Sequence, residues 1–72
     1  MKTYKNYMVV EISKDPNVTD WVIGIFKSHK RAVTFCNDYI PRLETDRLEV
    51  QATDEDVDIC VNIDTIYTRR FK

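Results

Sequence analysis

An α+β domain with the order β-β-α-β-β, one helix packed on an antiparallel sheet, is what these 72 residues predict. Three observations carry the expectation. Four stretches alternate apolar and polar residues with the period of a strand. One central stretch repeats its apolar residues at helical spacing. The short polar joins between them suit antiparallel neighbours rather than long crossovers.

KNYMVVEIS (Lys5–Ser13) is rich in β-branched and aromatic residues, with Met8, Val10 and Ile12 alternating. SKDPNVTD follows as a polar loop marked by Pro16 and Asn17. WVIGIF (Trp21–Phe26) is the second strand. Pairing Ile12 with Trp21 sets Val10 opposite Ile23 and Met8 opposite Ile25, a consistent inward face. Tyr7, Val9, Val22 and Phe26 then point to the open face. One helix covers only one side of a sheet, so this apolar set suggests a partner, a homodimer, or cover by the C-terminal IYTRRF segment.

Ser28 is a suitable N-cap. Ala32, Phe35, Cys36, Tyr39, Ile40 and Leu43 fall on one helical stripe, and Pro41 disfavours helical geometry at Ile40, where the helix should end or kink. RLEVQAT (Arg47–Thr53) and VDICVNI (Val57–Ile63) alternate cleanly. A loop over Thr53–Asp56 pairs Ala52 with Val57, Val50 with Ile59 and Leu48 with Val61, and assigns Val57, Ile59, Val61 and Ile63 to the core. Apolar parity breaks after Ile63, which predicts a bulge or turn at Asp64–Thr65 before a short last strand.

A chain of this length is one small domain, residues 1–72, with a modest core. Its composition is 43% hydrophobic and 32% charged with one Gly and two Pro, that of a folded globular protein rather than a disordered one. No apolar run reaches the roughly 18 residues of a membrane span, and the N-terminus breaks its apolar run at Glu11, so a cytoplasmic location is expected. The net charge of −1 conceals a segregation. Residues 1–43 carry seven Lys/Arg against four Asp/Glu, a balance of +3, and residues 44–72 carry eight acids against four bases, a balance of −4. All eight acids lie between Glu44 and Asp64, a stretch whose one base is Arg47.

Catalytic and metal chemistry find little support in the residues, and no cofactor is implied. Asp54, Asp56 and Asp58 have the spacing that opens a calcium loop, but Ile59 stands where Gly is needed and Thr65 where a bidentate Glu is needed. One His and two isolated Cys make no zinc pattern. His29 and Cys36 lie seven residues apart on one helix, about 10 Å along its axis, too far for a base to reach its nucleophile. Cys36 belongs to the apolar stripe, and strand parity puts Cys60 on a polar face across the sheet, which argues against a disulfide. A glycosidase-like carboxylate pair would need a cleft. No enzyme is expected.

Two charged surfaces remain. The first is acidic: Glu44, Asp46, Glu49, Asp54, Glu55, Asp56, Asp58 and Asp64. Same-face residues on a strand repeat about every 6.7 Å, the order of the phosphate spacing in nucleic acid, so fixed carboxylates can occupy a basic groove that normally holds DNA. The second is basic: Lys27, His29, Lys30 and Arg31 in KSHKR, with Arg69 and Arg70 in the RRFK tail. Cations at a helix start oppose its dipole but can grip phosphate.

The small size, the strand–helix join GIFKSHKRAVTFCNDY and the acidic second hairpin resemble small early proteins of bacteriophages. The resemblance implies a host-takeover protein without enzymatic activity that binds a host protein. Some such proteins mimic DNA and block nucleic-acid-binding proteins, including nucleoid proteins of the HU type. The sequence thus predicts a protein-binding inhibitor that presents its acidic hairpin to a basic host protein. Direct nucleic-acid binding through the basic set is the alternative.

Overall fold

Residues 4–54 and 63–71 are described by the computed structural model of the chain. Four strands and one helix follow in the order β1 (Asn6–Ser13), β2 (Trp21–Phe26), α1 (His29–Asp38), β3 (Thr45–Thr53) and β4 (Asp64–Arg70). This is the β-β-α-β-β order and α+β class that the alternation predicts. All neighbours are antiparallel, in the spatial order β2-β1-β3-β4. Both β2 and β3 run against β1, so they are parallel to one another with β1 between them, and α1 makes the connection across it.

The helix packs on one face of the sheet. Tyr7↔Ala52, Val9↔Val50 and Glu11↔Leu48 are cross-strand partners, and directly opposed residues share a face. Tyr7, Val9, Leu48, Val50 and Ala52 join Ala32 and Cys36 of the helix in the main core, with Phe26, Phe35 and Tyr39 packed around it. The face assignment of β1 is therefore the reverse of the expected one, and Ile25 and Phe26 are reversed with it, whereas Trp21 and Ile23 lie on the helix side and Val22 on the open face as expected. Met8, Val10 and Ile12 form a second buried cluster on the side away from the helix. Both residue sets of β1 are apolar, so alternation alone could not say which set meets the helix. The partners on β3 decide it.

A bulge between Val9 and Val10 also shifts the hairpin register. Met8 faces Ile25 as expected, but Val10 faces Val22 and Glu11 faces Trp21. Ile23 is the extra residue, and it turns to the helix side with the main core. Gly24 is needed nearby for space. A Cβ there would lie 2.9 Å from Phe26 Cε2, so the Phe26 ring rests on the bare backbone two residues earlier in its own strand.

Ser28 caps α1, its Oγ accepting from the Arg31 amide at 3.4 Å. The helix stops at Asp38, and Tyr39 is already extended with φ −69 and ψ 135. Ile40 and Leu43 consequently leave the apolar stripe and are exposed. The restriction imposed by Pro41 acts through the residue before it, and the chain straightens one residue earlier still.

The second half of the sheet departs furthest from expectation. The strand predicted over Val57–Ile63 lies outside the described residues except for Ile63, which is exposed rather than in the core. The β3 residues Ala52, Val50 and Leu48 face Asp64, Tyr67 and Arg69 of β4 instead of Val57, Ile59 and Val61. The register shifts between Val50 and Gln51, leaving Ile66 as the extra residue. This bulge is the break in parity seen after Ile63, and it lets Ile66 and Tyr67 both reach the helix-side core. The IYTRRF segment thus covers the helix side rather than the opposite face.

Where the helix ends, a buried charge ties three segments together. Glu11 is 4% exposed yet accepts from Tyr39 Oη at 2.8 Å, Thr45 Oγ1 at 2.8 Å and an Arg42 guanidinium nitrogen at 2.7 Å. Burial by itself raises its carboxyl pKa, but the bonds from Tyr39, Thr45 and Arg42 outweigh that and hold it below the ordinary 4.5. A depressed folded-state value means that the stabilisation is present above the unfolded value and lost as pH falls through the folded one.

Two outcomes follow for stability. Glu11→Gln should cost about 2–3 kcal/mol in urea unfolding near neutral pH, because Arg42 loses its buried partner. It should also flatten the loss of stability expected of the wild type as pH falls through the depressed folded-state value of Glu11. Gly24→Ala should cost about 1 kcal/mol or more, since the Phe26 ring must move to admit the methyl group. Matching urea midpoints for G24A and wild type would rule that contact out as a constraint.

Candidate functional site

Among the described acidic residues, Glu44, Asp46 and Glu49 pair with the chain's own cations. Asp46 Oδ2 lies 2.7 Å from Arg47 and 3.9 Å from Arg70. Glu49 accepts from Arg47 Nε at 2.9 Å and from Gln51 at 3.0 Å. Burial works to raise the Glu49 carboxyl, and these two bonds outweigh it, holding it below the usual carboxylate range. Glu44 is 3.5 Å from Arg42 Nε. Asp64 accepts from the Tyr4 hydroxyl at 2.6 Å. Asp54 is exposed at the end of β3, while Glu55, Asp56 and Asp58 lie outside the described residues. Glu49 and Gln51 do share the face away from the helix, opposite Val10 and Met8. There Arg47, with Arg70 as its partner across the strands, interleaves positive charge with the negative.

The basic set divides into four. Lys27, Lys30 and Arg31 stay together at the β2–α1 join. His29 turns away from them, its ring 5.9 Å from that of Tyr7. Arg69 is drawn to the other end of the helix. It donates to the carbonyls of Cys36 and of Tyr39, the latter at 3.2 Å, and its guanidinium lies 4.7 Å from the Phe71 ring centre. The last turn of α1 has no basic residue of its own, so Arg69 supplies from β4 the cation that the dipole favours there. Arg70 lies beside Asp46, and Lys72 is outside the described residues.

The Lys27–Lys30–Arg31 group borders an open groove of about 800 Å³. Phe26, Phe35, Tyr39 and Ile40 form its apolar wall, Lys30 and Arg31 its basic rim, and Asp38 its acidic end. The rings pack at tilted angles: Phe26 and Phe35 with centres 5.4 Å apart, and Phe35 and Tyr39 with centres 6.0 Å apart. A neighbouring hollow shares Phe26 and Arg31 and adds Ile25, Lys27 and Ser28. Lys27 Nζ donates to Asn6 Oδ1 at 2.7 Å. Among the described residues no carboxylate pairs with Lys27, Lys30 or Arg31.

The aromatic wall was not legible as a site in the sequence. Phe35 and Tyr39 read as core by helical spacing, and Phe26 was expected on the opposite face. Its seat over Gly24, an aromatic two residues beyond the only glycine in the chain, was the available signal.

Other chemistry has little geometry behind it. Cys36 is a free, fully buried thiol; burial pushes its pKa up, against a smaller opposing effect of Arg69, so it is a poor nucleophile. A smaller pocket of about 230 Å³ contains Glu11, Asp15 and Glu44 beside Trp21 and Arg42, but Glu11 is already committed to three donors. Among the described residues no group of three His, Cys, Asp or Glu could hold a metal ion, and no helix is long and apolar enough to cross a membrane. The chain matches no family model, and comparison with the curated proteins and with the solved structures yields no match either.

Proposed function

We propose that the protein is a non-enzymatic binding domain whose groove at the β2–α1 join takes single-stranded nucleic acid. The observation that supports this reading is the coincidence of unpaired cations and an aromatic wall. Lys30 and Arg31 stand at a helix N-terminus, where each is disfavoured by a few tenths of a kcal/mol, without a carboxylate partner among the described residues. Phosphate would relieve that cost, and Phe26, Phe35 and Tyr39 offer ring surface to bases. Lys27, Lys30 and Arg31 carry the electrostatic part, while His29 and Arg69 have structural duties.

Fluorescence anisotropy with short oligo-dT and oligo-U at low salt tests this. Lys30→Glu with Arg31→Glu should weaken binding by roughly tenfold or more, and log K should fall against log salt with a slope of about −2, for three neutralised phosphates. Absence of binding at low salt, or binding indifferent to both substitutions, would remove the proposal.

A second reading rests on the eight acids and one base between Glu44 and Asp64. Asp54 is exposed and is followed in the sequence by Glu55, Asp56 and Asp58, an acidic segment suited to occupy the basic DNA site of a host protein, as the resemblance to phage host-takeover proteins implies. On this reading the protein displaces duplex DNA from a purified HU-type nucleoid protein. Displacement should be lost when Asp54, Glu55, Asp56 and Asp58 are changed to Lys. Undiminished displacement by that variant would exclude the acidic segment as the mimic.

A further inference from the structure

We propose that β2 is an interface between two copies of this chain, whose described strands join edge to edge into one antiparallel eight-stranded sheet. Among the described strands β2 and β4 form the two edges. They are guarded very differently. β4 carries Asp64, Arg69 and Arg70, the charged residues by which natural sheets discourage edge pairing. β2 reads WVIGIF and carries no charge at all. Its side chains remain open, with Trp21 58%, Val22 46% and Ile25 50% exposed.

The occupant is indicated by the pattern of β2 itself. The bulge places Trp21, Ile23, Gly24 and Phe26 on the helix side and Val22 and Ile25 on the other. This sequence of faces is the same read in either direction about the Ile23–Gly24 bond. Two antiparallel copies centred there would oppose Trp21 with Phe26 and Val22 with Ile25, every pair sharing a face, as a two-fold interface requires. Shifting one copy by one residue would set Trp21 against Ile25, on opposite faces. The charges agree with the centred register. Asp20 and Lys27, both exposed, flank the strand, and that register brings Asp20 of one copy beside Lys27 of the other at each end. Trp21 of one copy would also stand next to the Phe26 that lines the groove of the other.

A contact limited to six-residue strands is small, so association should be weak and concentration-dependent. Sedimentation equilibrium without nucleic acid, from about 10 µM to about 1 mM, should show the mass rising from 8.6 kDa toward twice that value. Val22→Lys should raise the midpoint concentration by roughly tenfold, with circular dichroism reporting an intact fold. The exposed swap is a second variant: Asp20→Lys alone should weaken association several-fold, and adding Lys27→Asp should restore it. In a Cys60→Ser background, a Val22→Cys chain mixed with an Ile25→Cys chain should form an intermolecular disulfide, and neither chain should do so alone. A mass that stays at 8.6 kDa throughout, or association indifferent to both Val22→Lys and the charge swap, overturns the proposal. Disulfides forming equally well within either single variant overturn the register.

Discussion

The buried carboxylate of Glu11 is the constraint on which the arrangement of this small sheet depends. A charge 4% exposed is tolerable only if its oxygens are satisfied, and the three donors come from three places: Tyr39 at the helix end, Arg42 in the following loop and Thr45 at the start of β3. Meeting those distances fixes where the helix stops and where the next strand begins. The extended geometry of Tyr39 follows, because its hydroxyl must reach back over β1. Arg69 acts from the other side, holding the carbonyls of Cys36 and Tyr39. The helix C-terminus is thus anchored by side chains from β1 and β4, the two neighbours of β3.

That anchoring shapes the electrostatics. Arg42, Arg47 and Arg70 are spent on Glu11, Glu44, Asp46 and Glu49, which leaves the described part of the acidic half close to locally neutral. Among the described residues the opposite end of the helix has no such compensation. Lys30 and Arg31 border an aromatic groove and meet no carboxylate among the described residues. A chain of net charge −1 can therefore present a cationic surface, because neutral overall composition says nothing about which charges are already matched.

Much of the fold was legible because local periodicity is a local property. The helix, its Ser28 cap, both strands of the first hairpin and the loop at Pro16–Asn17 follow from spacing and turn chemistry. The site was less legible. Of the residues at the groove, Lys30 and Arg31 could be picked out as charges on a helix start. Their companions Phe26, Phe35 and Tyr39 looked like interior residues, and half-buried rings serve both purposes. His29 and Arg69 were grouped with the basic set by composition, and the fold separates them by sending one to Tyr7 and the other to the helix C-terminus. Glu11 appeared only as an interruption in an apolar run.

The amino-acid sequence by itself determined the α+β class, the order of elements and the segregation of charge, since each is written in residue types a few positions apart. Tertiary structure decided which face of β1 meets the helix, which strand completes β3 and which of the described charges are matched. Those outcomes depend on partners distant in the chain: Leu48, Val50 and Ala52 selecting Tyr7 and Val9, the bulge at Ile66 admitting β4, and Arg42 reaching Glu11. When both faces of a strand are apolar, periodicity is equally satisfied by either orientation. Only the burial gained against residues from elsewhere in the chain distinguishes the two.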